Sequence, residues 1–147
     1  MHTLALKYLV IINGVPIPII RNETVAKIAE DKATFRDVKE EIEYVLEHIV
    51  EILAMEGVID ILMQFVQDLT PRDYMIKLKN ILNLINEGEK QGMSSQIAVR
   101  FEKTGEKFNV LEVYDIKLSY VEPDTINTKF GFVYVYRFGI AKMGRVG

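Results

Sequence analysis

Apolar residues along this chain keep a strand-like period at both ends and a helix-like period between them. Residues 3–12, TLALKYLVII, are apolar in both phases of a two-residue alternation. That is the pattern of a strand covered on both faces and therefore central in its sheet. Asn13-Gly14 follows, the pair preferred in a two-residue hairpin turn. The next stretch, VPIPII, carries Pro16 and Pro18. Neither can donate an amide hydrogen, which predicts an edge strand and blunts that edge against further pairing.

The period changes near Thr24, where a short helix is expected. Thr34 and Asp37 have the spacing of a capping box, with Asp in place of the usual Glu. Phe35, Val38, Ile42, Val45, Ile49 and Ile52 then recur at steps of three and four, while Glu40, Glu43, Glu47 and Glu51 fall off the stripe. This predicts one amphipathic helix of about twenty residues, ended by Gly57. The following VIDILMQFVQDL is apolar nearly all round and reads as a deeply buried helix. Thr70-Pro71-Arg72-Asp73 starts another, with a capping hydroxyl, proline at the first helical position and an early acid. Its core face is Tyr74, Leu78, Ile81 and Ile85, and Gly88 is its expected stop. The two-residue period then returns at Ile97, Val99 and Phe101. It continues, after a turn at residues 104–107, through a long strand at 108–121, where a bend or bulge would free its apolar residues from sharing one face. Pro123-Asp124 marks a turn, and residues 129–139 form the last strand.

The order of elements predicts a single α+β domain spanning residues 1–147. It comprises an N-terminal hairpin, three to four helices, and three antiparallel strands, giving one roughly five-stranded, mainly antiparallel sheet with helices packed on it. The first and last strands, apolar on both faces, are expected to be central neighbours. In outline this order is similar to the profilin-like folds of roadblock and longin domains, which also open with a hairpin and a helix before three more strands. The resemblance concerns order alone and carries no functional motif.

Composition narrows the class. A chain of 147 residues, 49% hydrophobic and 27% charged, fits one globular domain with a real core. No cysteine is present, which excludes disulfides, thiol catalysis and thiolate metal sites. No run of 18 apolar residues occurs, and the apolar start, interrupted by Lys7, lacks the flanks of a signal peptide. A soluble cytoplasmic protein is the expectation. The net charge of −3 hides a gradient: residues 23–70 hold twelve acids against four bases, while residues 125–147 hold Lys129, Arg137, Lys142 and Arg145 and no acid.

The most distinctive stretch is KFGFVYVYRFG, residues 129–139, whose even positions are Phe130, Phe132, Tyr134, Tyr136 and Phe138. On a strand all five rings share one face. KFGFVYV resembles the longer ribonucleoprotein motif of RNA-recognition domains. That resemblance implies base stacking by Phe130 and Phe132; on a nucleic-acid-binding reading, Lys129, Arg137, Lys142 and Arg145 are further candidate contacts. The competing reading makes the stripe a wall of the core, because helices rich in Ile, Leu and Val need an apolar sheet face to cover. The core reading is preferred here, since Lys129 and Arg137 fall on the face opposite the rings.

Candidate chemistry is sparse. His48 and Glu51 lie one helical turn apart, but one such pair supplies at most two ligands. No nucleophile elbow or glycine-rich phosphate loop occurs. No cofactor or metal site is expected. The leading expectation is a non-enzymatic protein–protein interaction module that self-associates as a homodimer. Its interface would be Val133 and Val135 on the sheet, or Ile42, Val45 and Ile49 on the helix if that stripe is not buried within one chain. The alternatives are a nucleic-acid-binding regulator using the basic terminal strands and, more weakly, a small-ligand or enzyme domain. No membrane partner is expected.

Overall fold

A computed structural model of the chain describes residues 6–91, 95–101, 106–110, 116–129 and 131–145. Strands β1 (Tyr8–Ile12) and β2 (Val15–Pro18) come first. Five helices follow: α1 (Asn22–Ala29), α2 (Phe35–Glu47), α3 (Ile49–Ala54), α4 (Val58–Leu62) and α5 (Pro71–Gln91). Strands β3 (Ser95–Phe101), β4 (Glu106–Val110), β5 (Asp124–Thr128) and β6 (Gly131–Arg145) complete the α+β chain.

One mixed sheet organises it. β2, β1, β6 and β5 form a four-stranded unit, and β3 and β4 extend it beside the second half of β6. β1 and β6 are direct neighbours, with Tyr8 opposite Tyr134 and Ile12 opposite Phe138, but they run parallel. The other four pairings are antiparallel. The parallel pair follows from connectivity: all five helices and four strands intervene, so the chain can re-enter the sheet in either direction.

Asn13-Gly14 makes the expected turn, with φ values of 50° and 79°. Asn13 also does something its turn role does not require. Its backbone N–H donates to the Phe138 carbonyl at 3.0 Å. Its side-chain amide donates to the Ile140 carbonyl at 3.0 Å, and its side-chain oxygen accepts the Ile140 N–H at 2.8 Å. The turn thus extends the β1–β6 ladder past the end of β1.

β2 lies at an edge, as its prolines require. Ile17 and Val15 face β1, so Pro16 and Pro18 sit at the positions whose N–H would point outward. The Pro16 carbonyl accepts the buried Tyr74 hydroxyl at 2.6 Å, so α5 caps this edge.

Several expectations change. The predicted twenty-residue helix is two helices, because His48 leaves helical geometry at φ −120°, ψ 30°. Its ring Nδ1 lies 3.0 Å from the Tyr44 carbonyl, and its imidazole stacks on Tyr44 at 4.3 Å. Gly57, with φ 83°, begins α4. The segment expected to be buried all round leaves Ile59 and Met63 exposed, since α4 makes little more than one turn. α5 begins at Pro71 as expected but runs past Gly88 to Gln91. Its core face of Tyr74, Leu78, Ile81 and Ile85 is buried.

The expected strand at 108–121 ends at Val110, and residues 111–115 lie outside the described residues. Beyond them Phe35 N–H donates to the Ile116 carbonyl, and Leu118 N–H to that of Ala33. The apolar alternation of Ile116 and Leu118 therefore buries beside the start of α2 rather than in the sheet. Beyond Pro123, where the sequence marks only the start of a turn, Asp124–Thr128 form strand β5 paired to β6. The sheet is therefore mixed rather than five antiparallel strands.

Asn13→Gly keeps the turn conformation but removes both side-chain bonds to Ile140. It should cost roughly 1–3 kcal/mol in denaturant unfolding, as loss of partners for half-buried backbone groups does.

Candidate functional site

Alternation along β6 defines two faces. The odd face carries Val133 and Val135, each 1% exposed, beside Leu9 and Ile11 of β1. The Arg137 guanidinium on this face lies 5.4 Å from the Phe65 ring and 3.6 Å from the Asp124 carboxylate. The even face meets Phe35 of α2, whose ring packs edge-on against Phe138 at 4.7 Å. Residues of the segment between β2 and β3, Phe65 after α4 and Phe35 of α2, therefore contact both faces. Val133 and Val135, and with them Ile42, Val45 and Ile49, belong to the core of a single chain and offer no free surface.

The aromatic stripe divides along its length. Phe138 is 0% exposed and Tyr136 half-buried, but Tyr134 is 39% and Phe132 64% exposed. The cover over the even face ends between them. Residues 33–35 and 116–118 join by backbone hydrogen bonds at the Phe138 end, where Phe35 sits. Nothing among the described residues buries Phe132. The expectation that all five rings form a core wall is thus corrected: Phe138 does, and Phe132 does not. Phe130 lies outside the described residues.

Around the bare end, Tyr8 lies 5.9 Å from Tyr134 and 6.5 Å from Tyr136 between ring centroids. Burial first, then electrostatic repulsion from the direction of Tyr8, Asp31 and Tyr134, raises the pKa of the Tyr136 hydroxyl. β5 borders the bare end on the other side. Thr125 opposes Tyr134 and Asn127 opposes Phe132 on the same face, and both are exposed.

The backbone of β5 matters as much. Tyr134 N–H donates to Lys7, and Phe138 accepts from Asn13, so even residues of β6 turn their backbone groups toward β1. Odd residues turn theirs toward β5, where they meet Asp124, Ile126 and Thr128. Thr125 and Asn127 therefore direct their N–H and C=O groups outward, and no strand among the described residues pairs with that edge. A depression of about 320 Å³ opens beside it, lined by Asp60, Ile61, Gln64, Asn127 and Lys129.

The basic residues do not gather on this surface. Lys129 is exposed, but Arg137 is on the other face and ion-paired. The side chains of Lys142 and Arg145 lie outside the described residues.

The sequence reading missed a buried polar cluster. Glu41 is 0% exposed and accepts hydrogen bonds from the Ile20 N–H at 3.0 Å, Arg21 Nε at 2.7 Å and the Thr24 hydroxyl at 2.7 Å. Asp37, also buried, accepts from Lys27 at 2.8 Å and the Thr34 N–H at 2.9 Å. These carboxylates tie α1 and the end of β2 to α2. Their lone pairs are taken up by structural donors, which leaves little for acid–base work. Glu41 resembles its exposed neighbours Glu40 and Glu43 in sequence, and its partners lie about twenty residues away. No local signal marks it.

Among the described residues no group of three or more His, Asp or Glu side chains is placed to hold a metal ion, and no helix is long and apolar enough to cross a membrane.

Two outcomes follow. Phe138→Ala should cost roughly 3–5 kcal/mol, as a buried aromatic does. Phe132→Ala should stay within about 0.5 kcal/mol of wild type, as exposed sites do. Denaturant melts of both variants check this. For Asp37, burial alone would raise the pKa, but the Lys27 and Thr34 hydrogen bonds and the Lys27 charge outweigh it and lower it from 3.8. A lowered folded pKa stabilises above the unfolded value and is lost as pH falls through the folded one. Asp37→Asn should therefore be less stable than wild type at neutral pH, with the gap closing as pH falls below about 4 in melts across pH.

Against known proteins, no family model, no curated protein and no solved structure matches the chain.

Proposed function

We propose that this chain is a non-enzymatic protein–protein interaction module that self-associates, using the bare end of its sheet as the contact surface. The observation that carries the reading is the exposure of Phe132 and Tyr134 side by side with Thr125 and Asn127, on a strand whose Val133, Val135 and Phe138 are buried. Aromatic side chains are enriched at protein interfaces: the rings are rigid and apolar, and a tyrosine adds a hydroxyl that can hydrogen-bond. Exposed aromatic area next to unpaired strand backbone is a surface that a partner would cover. The two buried carboxylates serve the fold, which supports a binding role over a catalytic one. The order of hairpin, helices and strands, similar in outline to roadblock and longin domains, is compatible with this reading and adds no residue to it.

The exposed ring of Phe132 also suits the second reading, stacking on a nucleic-acid base, which the resemblance of KFGFVYV to a ribonucleoprotein motif suggests. The charge does not favour it. Asp31 influences Tyr136 beside the patch, and Arg137 is engaged on the opposite face.

Sedimentation velocity across concentration tests the proposal. Wild type should self-associate in the micromolar range. The Phe132→Ser, Tyr134→Ser double variant should shift that equilibrium at least about tenfold toward monomer, or about 1.4 kcal/mol, with unchanged circular dichroism. A wild type that stays monomeric at high micromolar concentration overturns self-association. Binding of a single-stranded oligonucleotide that Phe132→Ser abolishes would instead support the second reading.

A further inference from the structure

We infer that a second copy of this chain adds its own β5 to the outer edge of β5, antiparallel and across a two-fold axis at Ile126, joining two sheets into one. This rests on the self-association proposed above and specifies how it is built.

The two sheet edges formed by β2 and β5 differ in kind. β2 is closed to another strand: Pro16 and Pro18 stand where outward donors would be, and Tyr74 occupies the outward Pro16 carbonyl. β5, DTINT, has no proline and no lysine within it, and Thr125 and Asn127 present complete outward N–H and C=O pairs. Edge strands left in that state template the pairing of another strand.

The positions of those pairs select a partner. Thr125 and Asn127 are placed symmetrically about Ile126. In an antiparallel ladder, residues that exchange hydrogen bonds alternate with residues that do not. If two β5 strands meet antiparallel with Ile126 opposite Ile126, Thr125 of each copy falls opposite Asn127 of the other. Both are hydrogen-bonding positions on both strands, so every outward group finds its complement. Ile126, whose own backbone groups face β6, falls at a non-bonded position on the axis. A register shifted by one residue would set outward groups against inward ones. The edge is thus complementary to itself in this alignment. Two-fold contacts need such self-complementarity, since the same patch serves both copies.

The faces agree as well. Directly opposed residues of a ladder share a face. Thr125 and Asn127 would carry the exposed face of one copy into that of the other, bringing the Phe132 and Tyr134 surfaces of both onto one side of a continuous sheet. The partly buried Ile126 side chains would meet on the opposite, core-facing side.

The absence of cysteine from the chain allows a direct test. Non-bonded antiparallel partners lie about 4.5 Å apart at Cα, within the roughly 4.4–6.8 Å a disulfide spans. Ile126→Cys should therefore form a disulfide-linked dimer under mild oxidation, much faster than Thr125→Cys, whose counterpart lies diagonally across the axis. Asn127→Pro removes only an outward N–H, so the monomer should retain its circular dichroism. It deletes two symmetry-related hydrogen bonds from the dimer, and dimerisation should weaken at least about 30-fold. A wild type that dimerises by sedimentation, with Ile126→Cys not cross-linking and Asn127→Pro still dimeric, overturns the edge pairing and leaves self-association standing. A monomeric wild type overturns both.

Discussion

The parallel pairing of β1 with β6 is the contact on which the rest of this structure depends. It joins residues 8–12 to residues 134–138, so closing it fixes a loop containing every helix. Closing so long a loop costs conformational entropy, and that cost must be met by contacts made only once the strands meet. The structure concentrates them there. β1 is buried along its whole length, and the Asn13 turn adds a two-way side-chain bond to Ile140. β6 then serves as the shared spine, pairing with β1 on one side and with β5 and β3 in succession on the other.

Cover over the even face of β6 differs between the middle of the strand and its start. Phe138 lies under Phe35, where backbone hydrogen bonds hold residues 116–118 against the start of α2. Toward residue 132 that cover runs out while the strand continues. The same side-chain chemistry is core at Phe138 and surface at Phe132. Exposure of Phe132 thus reflects where the covering segments stop, not an unusual residue.

The polar cluster around Glu41 shows a second constraint. A carboxylate removed from water is tolerable when its acceptors are filled and a cation lies beside it. Ile20, Arg21 and Thr24 satisfy that condition together, all from the segment that leaves β2 and enters α1. The direction in which the chain leaves the hairpin and the position of α2 are therefore coupled. For Arg21, burial opposes the charge, and the bonds to Glu41 and Glu40 more than reverse that effect and raise its pKa. Lys27 and Asp37 repeat the device closer to the surface.

The sequence by itself determined the elements whose signals are local. The Asn13-Gly14 turn, the proline-marked edge, the capping box at Thr34 and Asp37, the start of α5 and its core face all depend on residues within a few positions of one another. The even–odd division of β6 was equally legible, because strand alternation is a property of the backbone. The tertiary structure decided everything that depends on distant neighbours. It made β1 and β6 parallel, broke the long helix at His48, drew Ile116 and Leu118 to the start of α2, and recruited DTINT into the sheet. It also exposed Phe132 and buried Glu41, reversing what each residue's type suggests. Alternation says which side chains share a face, but burial is set by what the rest of the chain lays over that face.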